Sequence, residues 1–225
     1  MNRVVPLDRV ETEHGRFYRS PSGLLLPSVT TILSATVPEA DQARLDRWRE
    51  RATPEELAEA EEHGLEGTER GSRIHKRIED WANDPFSDGP VNDPADPWWN
   101  SLVPFLRTVE QPILLEAPVW SSAGFAGTLD MLAMVRPGLV ALIDWKTARK
   151  KKARKWRRAY ELQVAAYAQA VFEVYGVKVE IGAVVIAYEG EPADILWLGE
   201  ADLRKAWAEF QRRLRSFDWR GRCSG

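Results

Sequence analysis

The chain has 225 residues, 44% of them hydrophobic and 29% charged. Its mean hydropathy is −0.39. That is enough apolar material for one packed core, probing no further than a single compact unit with a helical annex. No run approaches the roughly 20 apolar residues of a membrane span, and the opening MNRVVPLDRV lacks the apolar core of a secretory signal, so a cytoplasmic location is expected. The single cysteine, Cys223, excludes an intrachain disulfide framework, a thiolate zinc site and an iron–sulfur cluster.

In chain order, the stretch to about Leu26 has short apolar runs broken by HGR and SPSG, which predicts a small β-hairpin or arm. Pro27-Ser28 then precedes VTTIL, a short helix with a cap. Helical patterns cover Asp41 to Arg51, Pro54 to Glu62 and Thr68 to Ala82, with a composition-defined loop from Asn83 to Pro97. Trp98 to Val109 returns to helix, bent or restarted at Pro104. Ile113 to Ser121, Phe125 to Val135 and Leu139 to Lys146 are β-prone runs separated by SAG and RPG turns, the pattern of a three-stranded meander. A helix from Ala153 to Tyr175 stops before Gly176. Strands at Val179 to Tyr188 and Asp194 to Leu198 and a helix from Glu200 to Phe217 close the chain. The expected class is α/β, a central mixed β-sheet flanked by helices. Residues 1–110 form the N-terminal arm and helical region, and residues 111–225 the core.

The net charge of −3 hides an uneven distribution. Arg149 to Arg158 reads RKKKARKWRR, eight basic residues with no acid; the remainder holds 23 Lys and Arg against 34 Asp and Glu. Concentrated positive charge is the footprint of a phosphate-binding surface, although a solvated basic helix start has the same composition.

Two carboxylates and a lysine carry the chemistry. Asp130 ends GTLD on one strand, and Asp144 and Lys146 stand in IDWK on the next. Side chains alternate along a strand, so Asp144 and Lys146 share a face and Trp145 takes the other. The short RPG turn makes the two strands antiparallel neighbours, and Asp130 and Asp144 lie at similar distances from it. Oxygen ligands of this kind suit Mg²⁺ or Mn²⁺, which bind a phosphate oxygen and acidify water. Lys146 would orient or help deprotonate that water and offset developing charge. A DxK in a strand is also a common surface ion pair. Here it directly follows the apolar run LVALI, where charges demand a partner or a metal. His75 and Glu79 share one helical face, as do Gln163 and Tyr167; each alone is a weak signal.

Taken in order, His75, Gly127 to Asp130, Asp144-Trp-Lys-Thr147 and Gln163 to Tyr167 resemble the motifs of the RecB-like, Cas4-related branch of the PD-(D/E)XK nucleases. Leu129 stands where the family name has proline. Pro27-Ser-Val-Thr30, Leu45 with Arg47-Trp48 and Arg51, Gly71 to His75 and Val185 to Tyr188 are similar to the mitochondrial genome maintenance exonuclease group and its phage and bacterial relatives. The resemblance implies a restriction-endonuclease-like core with a helical arch. It implies Mg²⁺- or Mn²⁺-dependent exonuclease action on single-stranded DNA with a free end, and no iron–sulfur cluster. It also implies a bacterial or phage origin, a monomer, and work alongside replication or recombination proteins. The implied catalytic residues are His75, Asp130, Asp144 and Lys146. The implied metal ligands are Asp130, Asp144, His75 and the Trp145 carbonyl, with Glu79 and Glu116 as further carboxylates. Gln163 and Tyr167 would support the site. A flap or junction endonuclease, or a DNA-binding recombination accessory protein without catalysis, are the competing functions.

DNA contacts are expected from Lys150, Lys151, Lys152, Arg154 and Trp156 beside the strand end, since single strands are held by basic tracks and aromatic faces. Arg47 and Arg51 fall, with Arg44, near helical spacing. Ser28 and Thr30 suit either a phosphate contact or helix capping.

Overall fold

The computed structural model describes residues 6–151 and 154–217, without the side chains of residues 154–156. Three short antiparallel strands open the chain: β1 (Asp8–Thr12), β2 (Gly15–Arg19) and β3 (Leu25–Pro27). Helices α1 (Val29–Ala35), α2 (Glu39–Arg51), α3 (Pro54–Asn83) and α4 (Pro97–Leu106) follow. Then come β4 (Gln111–Ser121), β5 (Phe125–Arg136), β6 (Leu139–Ala148), α5 (Arg154–Tyr175), β7 (Ile181–Tyr188), β8 (Asp194–Leu198) and α6 (Glu200–Ser216).

The main sheet has the order β4-β5-β6-β7-β8. The expected meander is its first three strands. β6 and β7 are parallel, the other neighbours antiparallel, and α5 supplies the long crossover that a parallel pair requires. Its strands are apolar on both faces because helices cover both. On one side α1, α5 and α6 pack through Ile32, Leu162, Val171, Ala206 and Phe210 against Leu129, Leu142, Val184 and Ile186. On the other, Ile74 and Ile78 of α3 and Trp99, Leu102 and Phe105 of α4 cover Met131, Ile143, Trp145 and Val185.

The N-terminal strands dock on the start of β5. Tyr18 and Leu26 enclose Ala126, the Tyr18 hydroxyl lies 3.1 Å from Thr128 Oγ1, and Ser28 forms a parallel bridge with Ala126. Gly15 takes φ +116°, and a Cβ there would fall 2.7 Å from Thr31 Oγ1. Thr31 uses that space to accept from Arg16 N–H (2.9 Å) and donate to the Arg16 carbonyl (3.0 Å), so α1 is stitched to the hairpin.

Two expectations need correction. The patterns at Pro54 to Glu62 and Thr68 to Ala82 belong to one 30-residue helix. Gly64 and Gly67 each weaken a helix by about 1 kcal/mol relative to alanine, too little to break one flanked by Glu, Ala and Leu. A full capping box between Thr53 and Glu56 starts it. Helix α4 ends at Leu106 rather than Val109, its last turn tightening through Thr108 N–H to the Phe105 carbonyl (2.8 Å).

Asp96 clamps α3 to α4. It is 3% exposed, caps α4 by accepting from Trp99 N–H (3.1 Å), and receives Arg73 and, at 3.2 Å, Arg77. Asp96→Ala removes the cap and strips two guanidinium groups of a shared partner, one of them half exposed. A loss of about 2 kcal/mol is expected, read as a lower urea midpoint. Asp96→Asn keeps the cap acceptor and should lose less; equal losses for the two variants would assign the effect to the charge alone.

Candidate active site

Along β5 the regular alternation of side chains slips by one residue at Asp130. Leu129 packs toward α5 and α6, whereas Met131 packs toward α3 and α4; an unbroken strand would keep both on one face. β4 slips at the facing position: Ala117 joins the first layer and Leu115 the second, and Glu116 between them has φ +41°. Left-handed backbone at a non-glycine residue costs on the order of 1 kcal/mol and is typical of functional sites. β6 keeps its alternation, with Ile143 and Trp145 on the same face. Two strands that turn beside one that does not must part, and the β5–β6 pairing runs only as far as Met131 and Ile143.

Register carried one step further sets Glu116, Asp130 and Asp144 in a row across β4, β5 and β6. Asp130 occupies the fork. Its Oδ2 accepts the Trp145 N–H at 2.8 Å, satisfying a backbone donor that the parted strands leave without a sheet partner. The expected convergence of carboxylates at neighbouring strand positions is thus present in the register.

Asp144 is 2% exposed. Lys146 Nζ lies 2.6 Å from its Oδ2, and Oδ1 has no hydrogen-bond partner among the described residues. Burial pushes the Asp144 carboxyl up to about 6, against the opposing pull of Lys146. For Lys146, burial acts to lower the pKa, but Asp144 and Asp130 outweigh it and raise it. Lys146 is therefore held as a cation, which suits charge stabilisation better than proton uptake. The Tyr160 ring lies 5.3 Å from Nζ. Tyr160 was not anticipated, although it falls at i−3 from Gln163 and i−7 from Tyr167 and so extends their stripe along α5.

His75 comes from α3 on the opposite side of the fork. Its Nε2 lies 3.2 Å from the Trp145 carbonyl, and Nδ1 lies 3.3 Å from Glu116 Oε1 and 3.7 Å from Asp130 Oδ1. Burial would lower its pKa; the Asp130 charge and the Glu116 hydrogen bond outweigh that and raise it to about 9. Ligand atoms of His75, Glu116 and Asp130 all lie within 4.8 Å of one another. Glu116 therefore stands beside His75 and Asp130. Asp144 is not in that group, being drawn toward Lys146. Glu79 is not brought in either: one helical turn beyond His75, it pairs with Lys76 at 3.3 Å.

Gln163 and Tyr167 form the floor on the α5 side, both buried. A Cβ on Gly127 would meet the Tyr167 ring at 2.5 Å, so the glycine of GTLD and the tyrosine two elements later are two halves of one contact. Burial, with Tyr18, Asp130 and Asp144 nearby, raises the Tyr167 hydroxyl well above its ordinary pKa, and it stays neutral.

A divalent cation fits this donor set. The residues provide hard oxygens in one row, a carbonyl and an imidazole, and the buried Asp144 has an oxygen, Oδ1, with no hydrogen-bond partner among the described residues.

The expected DNA contacts fare unevenly. Ser28 is 1% exposed and caps α1, accepting from Thr31 N–H at 2.9 Å and donating to Thr31 Oγ1 at 2.8 Å, so the capping alternative holds and no surface is left for a phosphate. Thr30 is exposed. Arg47 and Arg51 lie exposed on α2. Lys150 and Lys151 are exposed, with Lys151 3.1 Å from Glu191. Lys152 and the side chains of Arg154 and Trp156 lie outside what the structure describes. Within the same basic run Arg149 pairs with Glu66 (2.8 Å), Arg157 with Asp194 (2.6 Å), and Arg158 with Glu161 and Glu209.

The profile of the PD-(D/E)XK nuclease superfamily matches residues 16–220. Mitochondrial genome maintenance exonuclease 1 of Mus musculus is 32% identical over 203 residues, 85% of this chain and 59% of that protein. The Xenopus tropicalis and Homo sapiens proteins of the same name are 29% and 27% identical, over 57% and 58% of their lengths. The chain thus spans less than two thirds of the curated relatives it matches. These relatives are vertebrate proteins and lend no support to the expected bacterial or phage origin. No described helix is long and apolar enough to cross a membrane.

The raised pKa values at the fork set a pH dependence. Asp144 (ordinarily 3.8, here about 6) and His75 (ordinarily 6.5, here about 9) both bind a proton more tightly in the folded state. The stabilisation from each is complete below its ordinary value and is lost as pH rises through its folded value. In EDTA, melting temperature should fall in two stages, between about pH 4 and 6 and between about pH 6.5 and 9. Asp144→Asn should remove the lower stage and His75→Gln the upper, and Mg²⁺ should flatten both. Scanning calorimetry across this range checks it; unchanged profiles in both variants would exclude these two groups as the source.

Proposed function

Because the chain belongs to the PD-(D/E)XK nuclease superfamily, we propose that it is a divalent-metal-dependent deoxyribonuclease that degrades single-stranded DNA from a free end. The observation that carries this is the row Glu116–Asp130–Asp144 at the fork, with the buried Asp144 paired to the ammonium of Lys146. Recombination accessory proteins that only bind DNA have no use for three carboxylates gathered in one row, whose mutual repulsion costs stability.

Asp130, Asp144, the Trp145 carbonyl and His75, with Glu116, would hold Mg²⁺ or Mn²⁺. When bound, such an ion neutralises phosphate charge and lowers the pKa of water. Lys146, kept cationic by its carboxylate neighbours, holds the scissile phosphate and the attacking water in place and offsets charge that develops as the P–O bond breaks. The Tyr160 ring restricts where that ammonium can swing. Asp130 fixes the Trp145 backbone through its N–H, and so aims the Trp145 carbonyl. Gln163 and Tyr167 exclude water from beneath the row. In this reading Thr30, Arg47, Arg51 and the Lys150–Trp156 segment, Lys150, Lys151, Lys152, Arg154 and Trp156, contact the DNA backbone and bases.

Lys146→Ala should lower the cleavage rate by at least roughly 10²-fold, while affinity for a single strand in Ca²⁺ is retained; near-normal turnover would remove Lys146 from its role. End action has its own measurement. Linear single strands should disappear in Mg²⁺ or Mn²⁺ and survive in EDTA, while a closed single-stranded circle of the same sequence survives throughout. Efficient cutting of the circle would favour an endonuclease.

A further inference from the structure

Helix α2 buries none of its residues, and its charges are largely sorted by face, Arg49 beside Asp46 being an exception. Arg44, Arg47, Trp48 and Arg51 follow the spacing i, i+3, i+4, i+7 and form one stripe; at about 100° per residue, Glu39, Asp46 and Glu50 fall on the opposite side. With Ala52 and Glu56, that stripe lines a surface cavity of about 370 Å³. Arg44 is held by Asp41 at 2.7 Å, whereas no ion pair involves Arg47 or Arg51 among the described residues. Trp48 is 44% exposed, on a helix with no need of an indole for packing. The acidic half of α3 begins at the cavity's edge: Glu56 lines it, and Glu55, Glu59, Glu61, Glu62, Glu66 and Glu69 follow with no Lys or Arg before Arg70. Phosphates are attracted to one wall only.

We propose that this stripe docks one unpaired nucleotide of single-stranded DNA, Trp48 stacking on the base while Arg47 and Arg51 hold the flanking phosphates, and that the preference for unpaired strands is read here. The proposal rests on the nuclease reading and deepens it. A base presents its flat face to an indole only when it has left a duplex, and the arginines that line the same cavity as the ring suit a backbone that carries one charge per nucleotide. The cavity lies within the ~300–1,000 Å³ of small-molecule sites, the scale of a single nucleotide. A chemically distant occupant, an acidic protein segment, would use the arginines and leave the indole unused.

The test is equilibrium binding in Ca²⁺, with the full chain, to a fluorescent oligothymidylate and to an abasic strand with the same phosphates. Trp48→Ala should weaken oligothymidylate binding roughly tenfold and leave abasic-strand binding unchanged, and Trp48→Phe should keep most of the affinity. The double variant Arg47→Ala/Arg51→Ala should weaken both strands and reduce the salt dependence. Wild-type affinity of Trp48→Ala for oligothymidylate overturns the proposal, as does an equal loss on both strands. The nuclease reading fails separately, if the wild-type chain binds these strands yet leaves them intact in Mg²⁺ and Mn²⁺.

Discussion

One hydrogen bond organises the candidate site: the Asp130 carboxylate accepting the Trp145 N–H at 2.8 Å. A sheet has no natural vacancy for a carboxylate between two of its strands, because backbone groups there satisfy one another. The vacancy arises from the one-residue slip at Asp130 and Glu116, which turns β5 and β4 while β6 runs on unturned. Once the strands part, a donor on β6 is stranded, and the side chain that answers it is a ligand-type residue. The same bond aims the Trp145 carbonyl, so structural repair and site construction are a single event. The Trp145 ring anchors β6 from behind, edge-on to Phe105 at a centroid distance of 5.6 Å.

The cost of this arrangement is electrostatic. Carboxylates from three adjacent strands stand in one row, one of them almost fully buried, where the interaction between like charges is weakly screened. Two cations answer from opposite sides, Lys146 on β6 and His75 on α3, and the pKa directions record the compromise: Asp144, Lys146 and His75 all move upward. Each shift favours keeping protons at the fork. A protein that holds protons among carboxylates is holding positive charge in a place where a divalent ion could supply it.

Most of this was legible in the sequence, for definite reasons. The strands and helices of the core announce themselves through β-branched runs and turn residues, and Asp144 and Lys146 through polarity that follows LVALI without interruption. Register alone predicted that Asp130 faces Asp144. What could not be read was the slip, since Glu116 is not glycine and nothing local marks it for φ +41°; hence its central place, and the exclusion of Glu79, required coordinates. The continuity of α3 through Gly64 and Gly67 was hidden by the same local logic, because glycine propensities are weaker than the cooperative ladder they interrupt. The pairing of Gly127 with Tyr167 links two motifs that stand 40 positions apart in the chain, and no spacing rule connects them; only packing does.

Charge density along a sequence and charge available to a ligand are different quantities. The run from Arg149 to Arg158 is the most basic segment of the chain, yet Arg157 and Arg158 are engaged with Asp194, Glu161 and Glu209 while only part exposed. Arg149 and Lys151 also have carboxylate partners, but these pairs are exposed, and exposed pairs contribute about 0–1 kcal/mol, so a phosphate can displace them. Helix α2 shows the converse. Its four acidic and four basic residues cancel in any windowed count, yet helical geometry gathers Arg44, Arg47 and Arg51 on one stripe beside an exposed indole, while Arg49 faces Asp46 on the other side. Net charge identified the first segment and overlooked the second, because a count along the chain averages over faces that a folded helix keeps apart.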